Sequence, residues 1–181
     1  MALKKLIDSR RRTPISFDQI LLITGQGNAK MIDLDELKGH VTDAELFDKS
    51  NATCIICTVH DPAVDRIIRH WVSIVRVGAK RKYYYFLDSL GNTLDQLHDR
   101  LHTKHEGFFN WTKERGSQVK SYPKRLQKSA LHTQDCGLWS AARCKLKKLT
   151  PKQFYNFWKG PGIPPDQIIS MACFLTLLGT D

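Results

Sequence analysis

The sequence predicts an α+β fold in which helices flank a central mixed β-sheet. Stretches rich in β-branched and aromatic side chains concentrate between positions 52 and 88, helical patterns occur on both sides of them, and the two do not alternate regularly. The chain has 181 residues, 41% of them hydrophobic, which is enough for a sizeable core. We therefore expect a single domain over residues 1–181, with residues 1–15 as a loose basic arm.

The stretch ISFDQILLITG predicts the first helix. Ser16 and Gln19 have the spacing of a capping box, in which each side chain accepts a hydrogen bond from the backbone of the other. Gly25 can end this helix. Residues 28–50 show no clear period, and we expect loops and short elements there.

Three stretches predict strands because they are rich in β-branched and aromatic residues: ATCIICTVH, HWVSIVRV and KYYYFLDS. The second and third form a hairpin around the basic turn GAKRK, and the first lies beside it. A further strand, SQVKSYPKRLQ, contains Pro123, which cannot donate a backbone hydrogen bond. We therefore expect that strand at an edge of the sheet.

Leucines at positions 94, 97 and 101 have helical spacing. Three more helices are expected towards the C-terminus. The first covers about residues 137–149, the second is TPKQFYNFWKG, and the third is PDQIISMACFLTLLG. Thr150 as cap and Pro151 at the first position give the second a clear start.

The chain is basic, with 28 Lys and Arg residues against 18 Asp and Glu, a formal net charge of +10. Such a charge attracts nucleic acid or an acidic partner, although a well-solvated basic surface explains it equally well. The cysteines are odd in number, five in all, and scattered, which favours free thiols in a reducing compartment. No apolar run reaches the roughly 18–20 residues of a membrane span, and no signal peptide is evident, so we expect no membrane association.

Cys136 is the candidate nucleophile. It lies at the predicted start of a helix, where unpaired N–H groups and the helix dipole stabilise a thiolate. The adjacent Gly137 has no side chain, so we expect substrate backbone to approach closely and local amides to serve as oxyanion donors. The alternative is a core thiol that opens a helix without doing chemistry.

His70 and Asp88 are the candidate partners of that thiol. His70 begins the predicted strand HWVSIVRV, and Asp88 follows the next strand just before a turn. A hairpin that turns near Ala79 brings both residues to the same end. The carboxylate could then orient the imidazole towards the sulfur. Taken singly, His70 could be a half-buried strand end and Asp88 a turn-capping residue.

The motifs HW, FLDSLG and DCGLW, in that order, resemble those of the adenovirus-type and SUMO-deconjugating cysteine proteases. The resemblance covers roughly residues 50–150, and Trp71 matches the aromatic residue that follows the family histidine. These proteases share a papain-like site. The resemblance implies His70 as general base, Asp88 as its orienting carboxylate and Cys136 as nucleophile.

The family also uses a glutamine side chain to line the oxyanion hole. Gln127, at the end of a predicted strand, is the favoured candidate, although it lies nine residues before Cys136, a longer gap than the family leads one to expect. Gln134, two residues before Cys136, is the alternative.

Within that family, the small size and the segment RLQ…CGLW most resemble viral capsid-maturation proteases of the adenovirus, virophage and polinton type. The resemblance implies a monomeric cysteine endopeptidase that cleaves viral capsid precursors, in the virion and in the host-cell cytoplasm or viral factory. It implies no cofactor for the chemistry, with DNA or a peptide as a possible activator. Two basic clusters are candidates for phosphate contacts or for solvated surface: Lys80, Arg81 and Lys82 in the turn, and Lys145, Lys147 and Lys148 on the helix.

Two other functions stay open. One is a deconjugating protease for a ubiquitin-like modifier, and the other is a basic nucleic-acid-binding protein that keeps the fold but not catalysis. Acyl transfer to an acceptor other than water ranks last. We expect no metal site, because Cys54 and Cys57 should face opposite sides of a strand, and His98 and His102 have no evident third ligand.

Overall fold

The computed structural model describes residues 15–25, 27–61, 65–78, 81–127 and 135–159, and residue 169. The strands are β1 (Lys30–Asp33), β2 (Ala52–Asp61), β3 (Arg66–Val77), β4 (Tyr83–Leu87) and β5 (Val119–Ser121). The helices are α1 (Phe17–Thr24), α2 (Asp43–Leu46), α3 (Leu94–Arg100), α4 (Glu106–Arg115), α5 (Cys136–Lys145) and α6 (Pro151–Trp158). Short 3-10 turns cover Leu34–Glu36 and Gly116–Gln118. The predicted α+β architecture with a mixed central sheet is confirmed.

The five strands form one sheet in the order β1-β2-β3-β4-β5. The three central strands are antiparallel, and β1 and β5 each add a parallel strand at an edge. Ser73 of β3 lies opposite Leu87 of β4, which confirms the predicted hairpin. The predicted start of β3 at His70 is wrong. Residues 66–69 pair with the end of β2, so that backbone hydrogen bonds extend the strand beyond its apolar part.

The sheet separates two hydrophobic cores. Side chains alternate along β2, so Cys54 and Ile56 enter the core beneath α1, α5 and α6, while Ile55 and Cys57 enter the core beneath α2, α3 and α4. The prediction that the two cysteines of CIIC face opposite sides is therefore confirmed. The first of these cores holds Cys136, and it supports the helix on which that residue lies.

The predicted helix caps are present in α1 and α6. Ser16 and Gln19 form the capping box of α1, which ends at Gly25 with a positive φ of 82°. Thr150 caps α6 with Pro151 in its first turn. These short-range signals placed both helices correctly because every group involved lies within one turn of the helix end.

Other elements differ from the expectation. The helix α4 was not predicted; its sequence EGFFNWTKER becomes helical because Phe108, Phe109 and Trp111 are buried together against the sheet. The edge strand β5 is shorter than predicted and ends at Ser121, before Pro123. The helix α5 ends at Lys145, not near residue 149.

Residues 1–14 and almost all of the third predicted C-terminal helix lie outside the described residues. Among the described helices, none combines the length and apolar character that crossing a membrane requires.

Candidate active site

His70 and Asp88 meet at one end of the β3–β4 hairpin. His70 lies within β3, opposite Cys57 of β2, and Asp88 directly follows β4. The His70 Nε2 atom is 3.0 Å from Asp88 Oδ1, and both side chains are buried. The hairpin register therefore brings together the imidazole and the carboxylate that the sequence paired.

The electrostatics of His70 are dominated by this contact. Burial by itself would lower the pKa of His70, because it disfavours the charged imidazolium. The negative charge and hydrogen bond of Asp88 outweigh burial and raise the pKa of His70 to about 10. A side-chain hydrogen bond with Cys136 acts in the same direction. The pair with Asp88 therefore favours the imidazolium form of His70.

Asp88 is also a turn residue. Its Oδ1 accepts from the backbone N–H of Leu90 at 2.8 Å, and its Oδ2 accepts from Asn92 Nδ2 at 2.7 Å. Burial by itself would raise the pKa of Asp88, but His70 and these hydrogen bonds hold it below its usual value. The turn-capping and imidazole-orienting interpretations therefore both apply to one carboxylate. Asn92, four residues after Asp88, is a site residue that the sequence analysis did not identify.

Cys136 is the first residue of α5, with Asp135 as its N-cap, and its side chain is buried. The pair with Asp88 occupies His70 Nε2, so Nδ1 is the ring nitrogen left for the interaction of His70 with the Cys136 thiol. An imidazolium and a helix N-terminus both favour the ionised form of a thiol. The structure thus brings together the three residues that were predicted to form a triad.

The explanation given for Gly137 is corrected. A Cβ atom at this position would collide with Ile15 and lie 3.1 Å from Trp71 Cδ1. Trp71 is itself packed edge-on against the Phe17 ring, with centroids 5.0 Å apart. Gly137 is therefore required by packing between α1, β3 and α5, and its missing side chain faces the protein interior instead of making room for substrate.

Gln127 is buried beside the turn that carries Asp88. Its Oε1 accepts from Ser89 Oγ at 2.9 Å, and the Ser89 carbonyl accepts the backbone N–H groups of Leu126 and Gln127, both at 2.9 Å. Gln127 follows β5 in a loop, so the expectation that it ends a strand is wrong. Gln134 lies outside the described residues. Ser89 was not assigned a role from the sequence; its position directly after Asp88 was the available signal.

The remaining described cysteines are core thiols. Cys54 and Cys144 are fully buried with their sulfurs 3.4 Å apart, and the hydrogen bond with Cys144 together with burial raises the pKa of Cys54. Burial likewise raises the pKa of Cys57, whose thiol donates to the His70 carbonyl at 3.4 Å. Cys144 thus lies in the same core as Cys136, and Cys173 lies outside the described residues.

The basic clusters are partly used within the fold. Lys147 Nζ donates to the carbonyls of Asn28 and Ser50, at 3.2 and 2.8 Å, so it joins chain segments. Arg81 lies over the Tyr83 ring at 5.3 Å. Lys80 lies outside the described residues. Within the described part of the chain, no group of three or more His, Cys, Asp or Glu residues could hold a metal ion.

The chain matches no protein-family model and no curated protein. Solved structures similar to it include two crystal structures of HopZ1a, one in complex with IP6 and CoA and one in complex with IP6. The first is 20% identical with a TM-score of 0.43 and covers 72% of this chain and 40% of the HopZ1a chain. The second is 17% identical with a TM-score of 0.40 and covers 77% and 44%. The chain thus spans less than half the length of the HopZ1a chains.

Proposed function

We propose that this chain is a cysteine endopeptidase that acts through Cys136, His70 and Asp88. The observation that carries the proposal is the placement of the Cys136 thiol at a helix N-terminus, where it interacts with His70, together with the hydrogen bond of 3.0 Å between His70 and Asp88. A thiol next to an imidazole that is oriented by a carboxylate is the arrangement required for nucleophilic attack on an acyl group.

In the first half of the reaction, the Cys136 thiolate attacks the carbonyl carbon of the scissile peptide bond. The negative charge that develops on the carbonyl oxygen is held by the backbone N–H of Cys136, which is one of the unpaired donors of the helix N-terminus, and by the Gln127 side-chain amide. His70 then donates its proton to the leaving amine. The C–N bond breaks, the amine product departs, and a thioester of Cys136 remains.

In the second half, water attacks the thioester carbonyl while His70, now neutral, takes a proton from that water. Asp88 keeps the imidazole in place through Nε2 during both proton transfers. The C–S bond breaks, the product leaves as a carboxylic acid that loses its remaining proton to solvent, and Cys136 and His70 return to the thiolate and imidazolium forms. The same thioester could react with an amine or hydroxyl acceptor in place of water.

For the substrate, we propose precursors of viral structural proteins. Support comes from the resemblance of the HW, FLDSLG and DCGLW motifs to capsid-maturation proteases, and from the net charge of +10, which suits work near packaged nucleic acid. This proposal places the enzyme, as a monomer, in the virion and in the host-cell cytoplasm or viral factory. DNA or a peptide remains the proposed activator.

The test is iodoacetamide labelling as a function of pH, with each of the five cysteines mapped by mass spectrometry. Cys136 should label well below pH 8 and faster than Cys144, and His70→Ala should remove that advantage. A matched control is available in His105, which is also buried and whose Nε2 lies 3.0 Å from Asp35 Oδ1. His105→Ala should leave the labelling of Cys136 unchanged.

Cleavage of linear peptides from capsid precursors then tests the substrate class. Cleavage only after the C-terminus of a ubiquitin-like modifier would identify a deconjugating enzyme instead. If Cys136 labels no faster than Cys144, with or without DNA, the nucleophile is excluded, and DNA affinity without cleavage would favour a nucleic-acid-binding protein.

A further inference from the structure

The turn after β4 packs directly against the loop after β5. The Asp88 carbonyl accepts from the Gly91 N–H at 2.9 Å, which closes the turn. Gly91 has a φ of 83°, and a Cβ atom there would lie 3.0 Å from the backbone nitrogen of Arg125. The two backbones are therefore in direct contact, and the loop that carries Gln127 is held against the turn that carries Asp88.

The Ser89 side chain adds a more specific contact. Its hydroxyl donates to Gln127 Oε1 at 2.9 Å, and both side chains are buried. A glutamine amide has an acceptor end and a donor end, and only the NH₂ end can stabilise an oxyanion. The Ser89 hydroxyl donates to the oxygen end, and this arrangement turns the NH₂ end of the Gln127 amide away from Ser89.

We propose that Ser89 is a positioning residue for the oxyanion hole. It acts through Gln127 and does not touch the substrate, and this inference rests on the proposed function. Asp88 and Ser89, consecutive in the chain, then serve different parts of one reaction: the first holds the imidazole, and the second fixes the direction of the Gln127 amide. Because the hydrogen bond exists before substrate arrives, the donor needs no reorientation in the transition state.

The inference is testable because alkylation and acylation of a thiol place different demands on the site. Iodoacetamide displaces iodide at a saturated carbon, and no oxyanion develops on that carbon. A p-nitrophenyl ester acylates the thiol through a tetrahedral oxyanion and releases p-nitrophenolate, which is measured by absorbance. The variants are Ser89→Ala, Gln127→Ala and the double variant, with Ser50→Ala as the control. Ser50 is also a buried serine, and its hydroxyl donates to the Ala52 carbonyl at 2.9 Å.

We expect Ser89→Ala to slow acylation of Cys136 by about tenfold to a hundredfold, since loss of an oxyanion donor costs roughly 10²–10³ and the misoriented amide loses part of that. Alkylation should change less than about twofold, because the pair of Cys136 and His70 is untouched. The double variant should acylate no more slowly than Gln127→Ala alone, since Ser89 acts through that residue. Ser50→Ala should match the wild type in both reactions.

Three results would overturn the inference alone: acylation unaffected by Ser89→Ala, alkylation slowed as much as acylation, or additive effects in the double variant. A wild-type Cys136 that neither alkylates selectively nor acylates would instead overturn the proposed function, and the role of Ser89 with it. The alkylation rate also shows whether each variant has kept its folded site.

Discussion

His70 and His105 each hold an aspartate oxygen at 3.0 Å from Nε2, Asp88 in the first case and Asp35 in the second. Both imidazoles are buried, and the two pairs are alike as hydrogen bonds. Among the described residues, it is the His70 side chain that interacts with the thiol of Cys136, the first residue of α5. A buried histidine–carboxylate pair therefore occurs twice in the described residues, and the interaction with Cys136 distinguishes the pair to which the proposed function assigns catalysis.

Asp88→Asn should uncouple the imidazole from its carboxylate. Without the negative charge, burial is left as the main influence, so the pKa of His70 should fall from about 10 towards or below its ordinary value of 6.5. The shift can be followed by NMR titration of the His70 ring, with selective labelling of Cys136 at low pH measured in parallel. Asp35→Asn is the matched control and should leave the His70 titration unchanged.

The pH dependence of stability follows from the same pair. The pKa of His70 is raised in the folded protein, so the stability it contributes is fully present below about pH 6.5 and is lost as pH rises through about 10. The free energy of unfolding, from urea titrations, should therefore decline across this window. His70→Gln should flatten that decline. An equal slope in wild type and variant would assign the pH dependence to other groups.

At acidic pH, the stability that Asp88 contributes changes with pH in the opposite direction to that of His70. The pKa of Asp88 is held below its usual value in the folded state, so its contribution is present above the unfolded value of about 3.8 and is lost as pH falls. Urea titrations between about pH 5 and pH 2 should show Asp88→Asn losing less stability on acidification than the wild type.

Gly137→Ala should destabilise the fold, because the added methyl group meets Ile15 and Trp71 in a packed interior. Overpacking of this kind costs about 1–3 kcal/mol. Urea unfolding of the single variants and of Ile15→Ala/Gly137→Ala tests the cause. Removing the Ile15 branch should recover part of the loss, whereas simple additivity would show that the two side chains do not compete for the same space.

Asp43, at the N-terminus of α2, should be the most costly surface carboxylate to remove. Tyr84, Trp111 and Arg115 all donate to it, at 2.8, 3.0 and 2.7 Å. Burial by itself would raise the pKa of Asp43, but these donors and the Arg115 charge lower it to about 2. Asp43→Asn should cost roughly 1.5–3 kcal/mol, as expected for charge-assisted hydrogen bonds. The exposed Asp95→Asn, in the first turn of α3, is the control and should stay within about 0.5 kcal/mol of wild type.

Local signals in the sequence determined much of the framework. The capping boxes of α1 and α6, the alternation along β2 and the β3–β4 hairpin depend on residues close together in the chain, and each was predicted correctly. The meeting of His70 and Asp88 followed from the hairpin, since its turn brings positions 18 apart to one end.

Only the tertiary structure decided the rest. The helix α4 exists because distant segments bury its aromatic side chains, and residues 66–69 join β3 because they pair with the end of the neighbouring strand β2. Local propensity does not contain that information. The absence of a side chain at Gly137 is explained by contact with Ile15, more than a hundred residues away in the chain. The position of the Gln127 side chain is explained by its hydrogen bond with the Ser89 hydroxyl. The candidate residues of the site could be identified from the sequence because a thiol, an imidazole and a carboxylate indicate their chemistry by residue type alone. The orientation of these side chains depends on packing between segments that meet only after folding.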